Sequence, residues 1–390
     1  MEFFDWHQPT EIIFGWGRLD EVGDFLNKYG DKCLMVTGHT SKAKYPIYER
    51  IKDNLENRGI DLIHFDGVTT NPTTETVNEG SKLAVENDVD VVLGVGGGSS
   101  MDTAKAIAVG ASHEGEAWDY RLFTDKEITE NTLPIIAITT TSGTGSQVTP
   151  FSVVTNSQKK SKFALASTEL CPEVSIVDPE LMVTAPEHVT ASTGFDAFAH
   201  SFETYIHDDS SPYTDLLAKE AIELIVKFLP IAMSQPDNKL ARNKLAWADT
   251  LAGICISNAG TTLPHGIGMA IGGHAPEVLH GEALSVIYPE FTRYTYPSKI
   301  EKFSTVGRIL DPELEVEFDE KAAHKSCQAI DEFLKEIGMY FNLEELGVPK
   351  SELGAIADDA VELPDYEANP RVANRDKILE LIEKAYDRSL

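Results

Sequence analysis

The chain has 390 residues, of which 63 are acidic and 33 basic, giving a net charge of −30, and 42% are hydrophobic. That length is too great for one ordinary core and points to two domains, while the hydrophobic share is that of a soluble globular protein. The acidic balance argues against nucleic acid or an anionic membrane as the main partner; it favours solubility and leaves open a salty habitat.

The N-terminal stretch MEFFDWHQPTEIIFG has no basic segment followed by an apolar one, and no apolar run reaches membrane-spanning length. The four cysteines, Cys33, Cys171, Cys255 and Cys327, form no CxxC pair, which fits buried thiols in a reducing cytoplasm. Strand and helix signals then alternate. CLMVTG (33–38), IDLIHFDGV (60–68), VDVVLGVGGG (89–98), LPIIAIT (133–139) and SIVDP (175–179) read as strands. Between them, YPIYERIKDNLENRG, TVNEGSKLAVEND and MDTAKAIAVGAS read as helices. Continuous apolar strands spaced by helices predict a parallel sheet covered on both faces. FSVVTN (151–156) and KFALA (162–166) read as a hairpin. After Pro186 the pattern becomes helical, with Pro at a helix start in TAPEHVT. The expected organisation is an α/β domain over 1–186 and an all-helical domain over 187–390. The acidic runs around 311–320 and 351–367 read as solvated faces or loops.

Two segments of the first domain suit phosphate. Gly96-Gly97-Gly98-Ser99 follows an apolar strand and opens a helix, a place where helix N-terminal amides and glycine backbone receive an anion. Thr139-Thr140-Thr141-Ser142-Gly143-Thr144-Gly145-Ser146 follows another strand with a row of hydroxyls. A tight turn without ligand explains either one; two such lips in one domain favour a nucleotide. Neither GxGxxG nor GxxxxGK[ST] is present.

The second domain holds a different chemistry. Asp196 and His200 are four residues apart in TGFDAFAHSFETY, one turn apart on one helix face. His265 and His280 follow in the glycine-rich, apolar stretch LPHGIGMAIGGHAPEVLHGEAL. A carboxylate and three imidazoles can close most of a divalent ion's shell and leave a position open. Spacing alone also admits a helix-face hydrogen bond and ordinary core histidines.

Taken together, the chain resembles the iron-containing (group III) alcohol dehydrogenase family over nearly its whole length. The resemblance rests on PTEIIFGWGRLDEVG, TTNPTTETV, GGGSSMDTAKAIA, TTSGTGSQVTPFSVVT, SIVDPELM, TGFDAFAHSFETY and HGEALSVIYP, in that order. It implies an N-terminal Rossmann-like dinucleotide domain and a C-terminal helical metal-binding domain, with the active site in the cleft between them. It implies Asp196, His200, His265 and His280 as ligands of a divalent metal, Fe(II) first and Zn(II) second. It implies Gly97, Gly98, Ser99 and Asp102 at the pyrophosphate and ribose, Thr140, Thr141 and Thr144 near the cofactor, Asn71 on the adenosine side, Lys162 at the nicotinamide half, and Leu181 lining the cofactor.

Two departures stand out. Many members carry a second histidine, proposed to relay protons, where this chain has Met269, leaving His274 as the nearest substitute, or else a polar loop residue. Members that prefer NAD place an acid after the first strand, where this chain has Gly38 followed by Ser41 and Lys42. A carboxylate there repels a 2′-phosphate and glycine does not, so the expectation is NAD(P) with a lean toward NADP. The implied reaction interconverts small primary aliphatic alcohols and aldehydes, with Phe151, Phe195, Phe198, Leu263 and Met269 as candidate pocket residues. A glycerol or polyol dehydrogenase on the same fold is the alternative, and a non-catalytic nucleotide- or metal-binding protein is the third reading. A cytoplasmic homodimer or larger homo-oligomer completes the expectation.

Overall fold

Six strands form one parallel sheet in the first half of the chain: β1 (Glu11–Phe14), β2 (Lys32–Gly38), β3 (Asp61–Val68), β4 (Val91–Gly96), β5 (Ile135–Thr139) and, after a separate hairpin of β6 (Phe151–Asn156) and β7 (Ser161–Ala166), β8 (Val174–Val177). These come from a computed structural model that describes residues 3–39 and 45–389. The order across the sheet is β1-β8-β5-β4-β2-β3, with every pairing parallel. The central strands β4, β5 and β8 are buried along their whole length, as their unbroken apolar runs require when both faces are covered. One apolar cluster, with Cys33, Met35 and Leu93, covers one face; another, with Leu34, Val36 and Val92, covers the other.

The sequence reading lacks β1, whose EIIF offers only a short apolar run at a sheet edge. The reading of VDVVLGVGGG as strand to residue 98 is also too long. Gly96 has φ 152 and ends the strand, and Gly98 already begins the helix Gly98–Ser112. The chain moves from β2 outward to β3 and then returns to the other side of β2 with β4. This reversal is the topological switch of an open α/β sheet, and ligands bind outside the strand carboxyl ends there. Gly38 and Gly96 end those two strands.

Contacts divide the chain into Gln8–Pro186 and a second unit running from Glu187 onward together with the N-terminal stretch up to His7. That stretch, expected with the α/β domain, belongs to the helical unit. His7 N–H donates to Asn258 Oδ1 at 3.0 Å, Asn258 Nδ2 donates back to the His7 carbonyl, and Trp6 packs edge-on against Tyr213. Among the described residues of the helical unit all regular elements are helices. Their starts follow local chemistry: Ser211 caps Thr214 ahead of Pro212, and Asn238 caps Ala241. The helix Glu187–Ile206 is buried from Thr190 to its end except at half-buried Thr193, the mark of a central core helix. The helices Leu263–His274 and His280–Thr295 pack in the same apolar cluster. No helix among the described residues is long and apolar enough to cross a membrane.

Candidate metal centre and nucleotide lips

Asp196 and His200 project from one face of the helix Glu187–Ile206, His265 stands in the first turn of Leu263–His274, and His280 is the first residue of His280–Thr295. The approach of these helices depends on missing side chains. A Cβ on Gly281 would lie 2.0 Å from the Ser192 carbonyl oxygen, so only glycine lets the His280 helix come this close. Asp196 Oδ1 is 3.6 Å from His200 Nε2, 3.8 Å from His265 Nε2 and 3.9 Å from His280 Nε2. Ligands about 2 Å from a common ion stand roughly 3–4 Å from one another, and these separations fall in that range. Donor atoms of Asp196, His265 and His280 all lie within 4.8 Å of one another. His200 is outside that mutual group, although nearest to Asp196, and its ring stacks on His265 with centroids 4.7 Å apart.

Asp196 Oδ1 and His265 Nε2 are both buried and make no hydrogen bond. Orphaned polar atoms of this kind are costly in an apolar interior, and a shared cation satisfies both. The donor set therefore fits a divalent metal. Burial pushes the Asp196 carboxyl up, but His200, His265 and His280 outweigh it and hold it at about 2. Burial pulls His265 down, yet Glu203 and Asp196 raise it to about 10. The side chains of Asp196, His200 and His265 are 4–6% exposed, while that of His280 is 26% exposed. The cluster is open on the His280 side.

The other expected residues divide sharply. His274 Nδ1 pairs with Glu352 at 2.7 Å and Nε2 with Asp359 at 2.9 Å. With a carboxylate on each nitrogen it clamps the end of its helix. Glu352 and Asp359 come from an acidic run expected to be solvated. Phe195, Phe198 and Leu263, expected to line a pocket, are fully buried core; Phe195 packs edge-on against Tyr288. Phe151 and Met269 are only partly buried.

In the α/β unit the two polar lips meet. Gly96 pairs with Thr139 across β4 and β5, and Thr140 N–H donates to the Gly96 carbonyl at 2.9 Å. A Cβ on Gly98 would lie 2.7 Å from Thr144 Cγ2, and one on Gly97 would lie 3.1 Å from Thr141 Oγ1. Thr141 Oγ1 is buried without a hydrogen bond. Ser99 stands in the first turn of the helix Gly98–Ser112, beside these groups. Lys162 Nζ donates to Asn71 Oδ1 at 2.8 Å, which brings those two expected cofactor residues together. Asp102 is held within the protein: Oδ1 accepts from Ser146 Oγ at 2.6 Å and Oδ2 from Val153 N–H at 3.1 Å. Burial raises its carboxyl, and Lys105 opposes this. Leu181 is buried in the cluster that packs on the sheet. Gly38 ends β2, and among the described residues a Cβ there would meet the Val68 carbonyl at 3.6 Å and Ser100 Oγ at 4.0 Å. Ser41 and Lys42 lie outside the described residues.

A profile described as iron-containing alcohol dehydrogenase matches residues 9–179, and one for the C-terminal part of the Fe-containing alcohol dehydrogenase family matches residues 190–386. The chain belongs to the iron-containing alcohol dehydrogenase family. It is 32% identical over 377 residues to an NAD-dependent methanol dehydrogenase of Bacillus methanolicus, covering 97% of this chain and 98% of that one. It is 34% identical over 385 residues to a 1,3-propanediol dehydrogenase of Citrobacter freundii, covering 98% and 99%. Among solved structures, an archaeal halo-thermophilic alcohol dehydrogenase from a Red Sea brine pool superimposes with a TM-score of 0.95 at 36% identity, covering 99% of each chain. As a member of this alcohol dehydrogenase family the protein is an oxidoreductase acting on alcohols.

Sequence reasoning about the family site missed two groups. Glu203, fully buried, accepts from His265 Nδ1 at 2.8 Å. Its signal was present in DAFAHSFE, three residues after His200 on the same helix face. Lys105, also fully buried, donates to the Thr149 and Phe151 carbonyls at 2.8 Å each, and burial pulls it down to about 8. With Asp102 it staples the helix behind the glycine lip to the segment behind the threonine lip.

Proposed function

We propose that the protein interconverts small primary alcohols and aldehydes with a metal held by Asp196, His200, His265 and His280 and a nicotinamide dinucleotide held at the β2, β4 and β5 strand ends. The observation that carries this reading is the convergence of Asp196, His265 and His280, with two buried donor atoms that no protein group satisfies. When bound, the ion supplies a Lewis acid for the substrate oxygen, and the nicotinamide gives or takes the hydride.

The chain's own residues set the terms of that chemistry. Asp196 brings a negative charge into a buried site and stays ionised because three imidazoles face it. His265 is held by Glu203 at Nδ1, so Nε2 is the nitrogen turned to the ion. Leu263, Ile267 and Leu284 in the same helices are fully buried, and the half-open His280 side is where substrate enters. Iron is favoured by the family; one carboxylate and three imidazoles suit zinc equally.

Gly97 and Gly98 let a pyrophosphate approach the backbone, Thr141 offers its unengaged hydroxyl, and Lys162 with Asn71 offers a cation and an amide. Gly38 leaves a 2′-phosphate unopposed, so NADP is admitted beside NAD; the methanol dehydrogenase and two butanol dehydrogenases among the relatives bear names that specify NAD or NADH. A short diol is the second substrate reading, favoured by the 1,3-propanediol dehydrogenases among the relatives. Composition and family resemblance support a cytoplasmic homodimer or larger homo-oligomer. The test follows absorbance of the reduced nicotinamide with butanal and with 1,3-propanediol, using NADH and NADPH, before and after chelation. The reading expects turnover that chelation abolishes and Fe(II) or Zn(II) restores. Undiminished turnover after complete metal removal contradicts it, and use of NADH alone contradicts the NADP part.

A further inference from the structure

The helices that carry the four ligands converge on one carboxylate that is not itself a ligand. Glu203 stands three residues after His200 and seven after Asp196, so all three share one face of the helix Glu187–Ile206. Its Oε2 accepts from the Thr262 N–H at 2.8 Å and from Thr262 Oγ1 at 3.2 Å. Thr262 is the cap position of the helix Leu263–His274 that carries His265. Its Oε1 accepts from His265 Nδ1 at 2.8 Å and from the Tyr288 hydroxyl at 3.1 Å. Tyr288 belongs to the helix that begins with His280. One fully buried side chain thus ties together all three ligand-bearing helices.

We propose that Glu203 is the positioning residue that sets the metal affinity of this site. A carboxylate only accepts, so its contact with His265 fixes a proton on Nδ1 and leaves the Nε2 lone pair for the ion. Its second oxygen fixes the start of the His265 helix, and Tyr288 brings the His280 helix to the same point. A glutamine has the same shape but only one acceptor oxygen. Whichever way its amide turns, either the Thr262 pair or the His265–Tyr288 pair faces a second donor. With the amide toward His265, Nδ1 becomes an acceptor and the ring proton moves to Nε2, where it blocks the ion. The inference rests on the metal reading above.

The experiment strips metal from the full-length parent and from Glu203→Gln, then titrates each with Zn(II) in competition with a chromophoric chelator. Melting curves of both proteins are recorded with and without Zn(II). The parent binds, and the variant's dissociation constant rises by about 10–100-fold, the usual effect of losing an outer-shell partner of a metal-bound histidine. A variant that melts earlier in both states but binds Zn(II) as tightly as the parent has lost only packing, and this overturns the proposal. A parent that takes up no Zn(II) overturns the metal reading itself. The unmodified protein gives a second readout that does not depend on the variant folding. Nitrogen–proton correlation spectra of the Zn(II)-loaded chain, labelled at histidine, place the His265 proton on Nδ1; a ring with no proton there overturns the proposal.

Discussion

At the strand ends of the α/β unit the candidate site is made of backbone, glycine and small hydroxyls; in the helical unit it is made of long side chains brought from three helices. The first already ties down polar groups of its own, through Thr140 to Gly96 and Lys162 to Asn71, and leaves the Thr141 hydroxyl buried without a bond. The second leaves Asp196 Oδ1 and His265 Nε2 buried and unsatisfied, with Glu203 taking the other side of His265. A lip built from backbone holds its shape whether or not a nucleotide is present. A cluster of converging side chains costs free energy until a cation satisfies it. Disturbance of the two regions therefore has different signatures: altered cofactor binding in one, altered metal content and stability in the other.

The largest effect belongs to Gly281→Ala. Its Cβ meets the Ser192 carbonyl oxygen, and backbone cannot move aside as a flexible side chain does. The helix that begins with His280 must shift. We expect loss of bound metal and of turnover, with a stability cost of at least about 1–3 kcal/mol, read by metal analysis and denaturant unfolding. Gly98→Ala comes next. Its Cβ meets the Thr144 side chain, which can rotate away but then disturbs the threonine lip. The KM for the dinucleotide rises while metal content stays at the parent level; a fall in metal content erases the distinction drawn between the two regions. Gly38→Asp is milder, because among the described residues a Cβ there meets ordinary contacts. It lowers kcat/KM with NADPH and leaves the NADH value near that of the parent.

The smallest effect concerns protons. In the metal-free protein His265 is raised from 6.5 to about 10, so at pH 7 the ring carries a proton that an incoming ion must displace. Metal affinity therefore rises with pH up to about 10 and then flattens. The same raised value stabilises the metal-free fold fully below pH 6.5, and this contribution is lost as pH rises through about 10. Calorimetry in buffers of differing ionisation enthalpy reads the released proton, and unfolding of the metal-free protein reads the stability slope.

What the sequence disclosed follows from periodicity. The buried strands β2, β4, β5 and β8 are apolar runs, and the hairpin of β6 and β7 lies within one residue of its expected bounds. The edge strand β1 was not legible because two isoleucines do not make a pattern. The four candidate ligands were visible as residue types at helical spacing and in a glycine-rich stretch. The aims of individual carboxylates were not. Asp102 points to Ser146 and Val153, 44 and 51 residues away, and His274 is held by Glu352 and Asp359, 78 and 85 residues away. Such partners are set by how helices pack, and nothing in the local spacing of charged residues records it. Glu203 lies between these cases. Its helix face was legible, but its partner His265 is 62 residues on.

The central claim is that Asp196, His200, His265 and His280 hold a cation in the helical unit. Elemental analysis of the protein purified without chelator or added metal, beside Asp196→Asn prepared identically, tests it most directly. The account predicts a single divalent ion per chain, iron or zinc, in the parent, and its loss from a variant that remains folded. Equal metal content in the two proteins, or a metal-free parent that turns over alcohol at full rate, contradicts it.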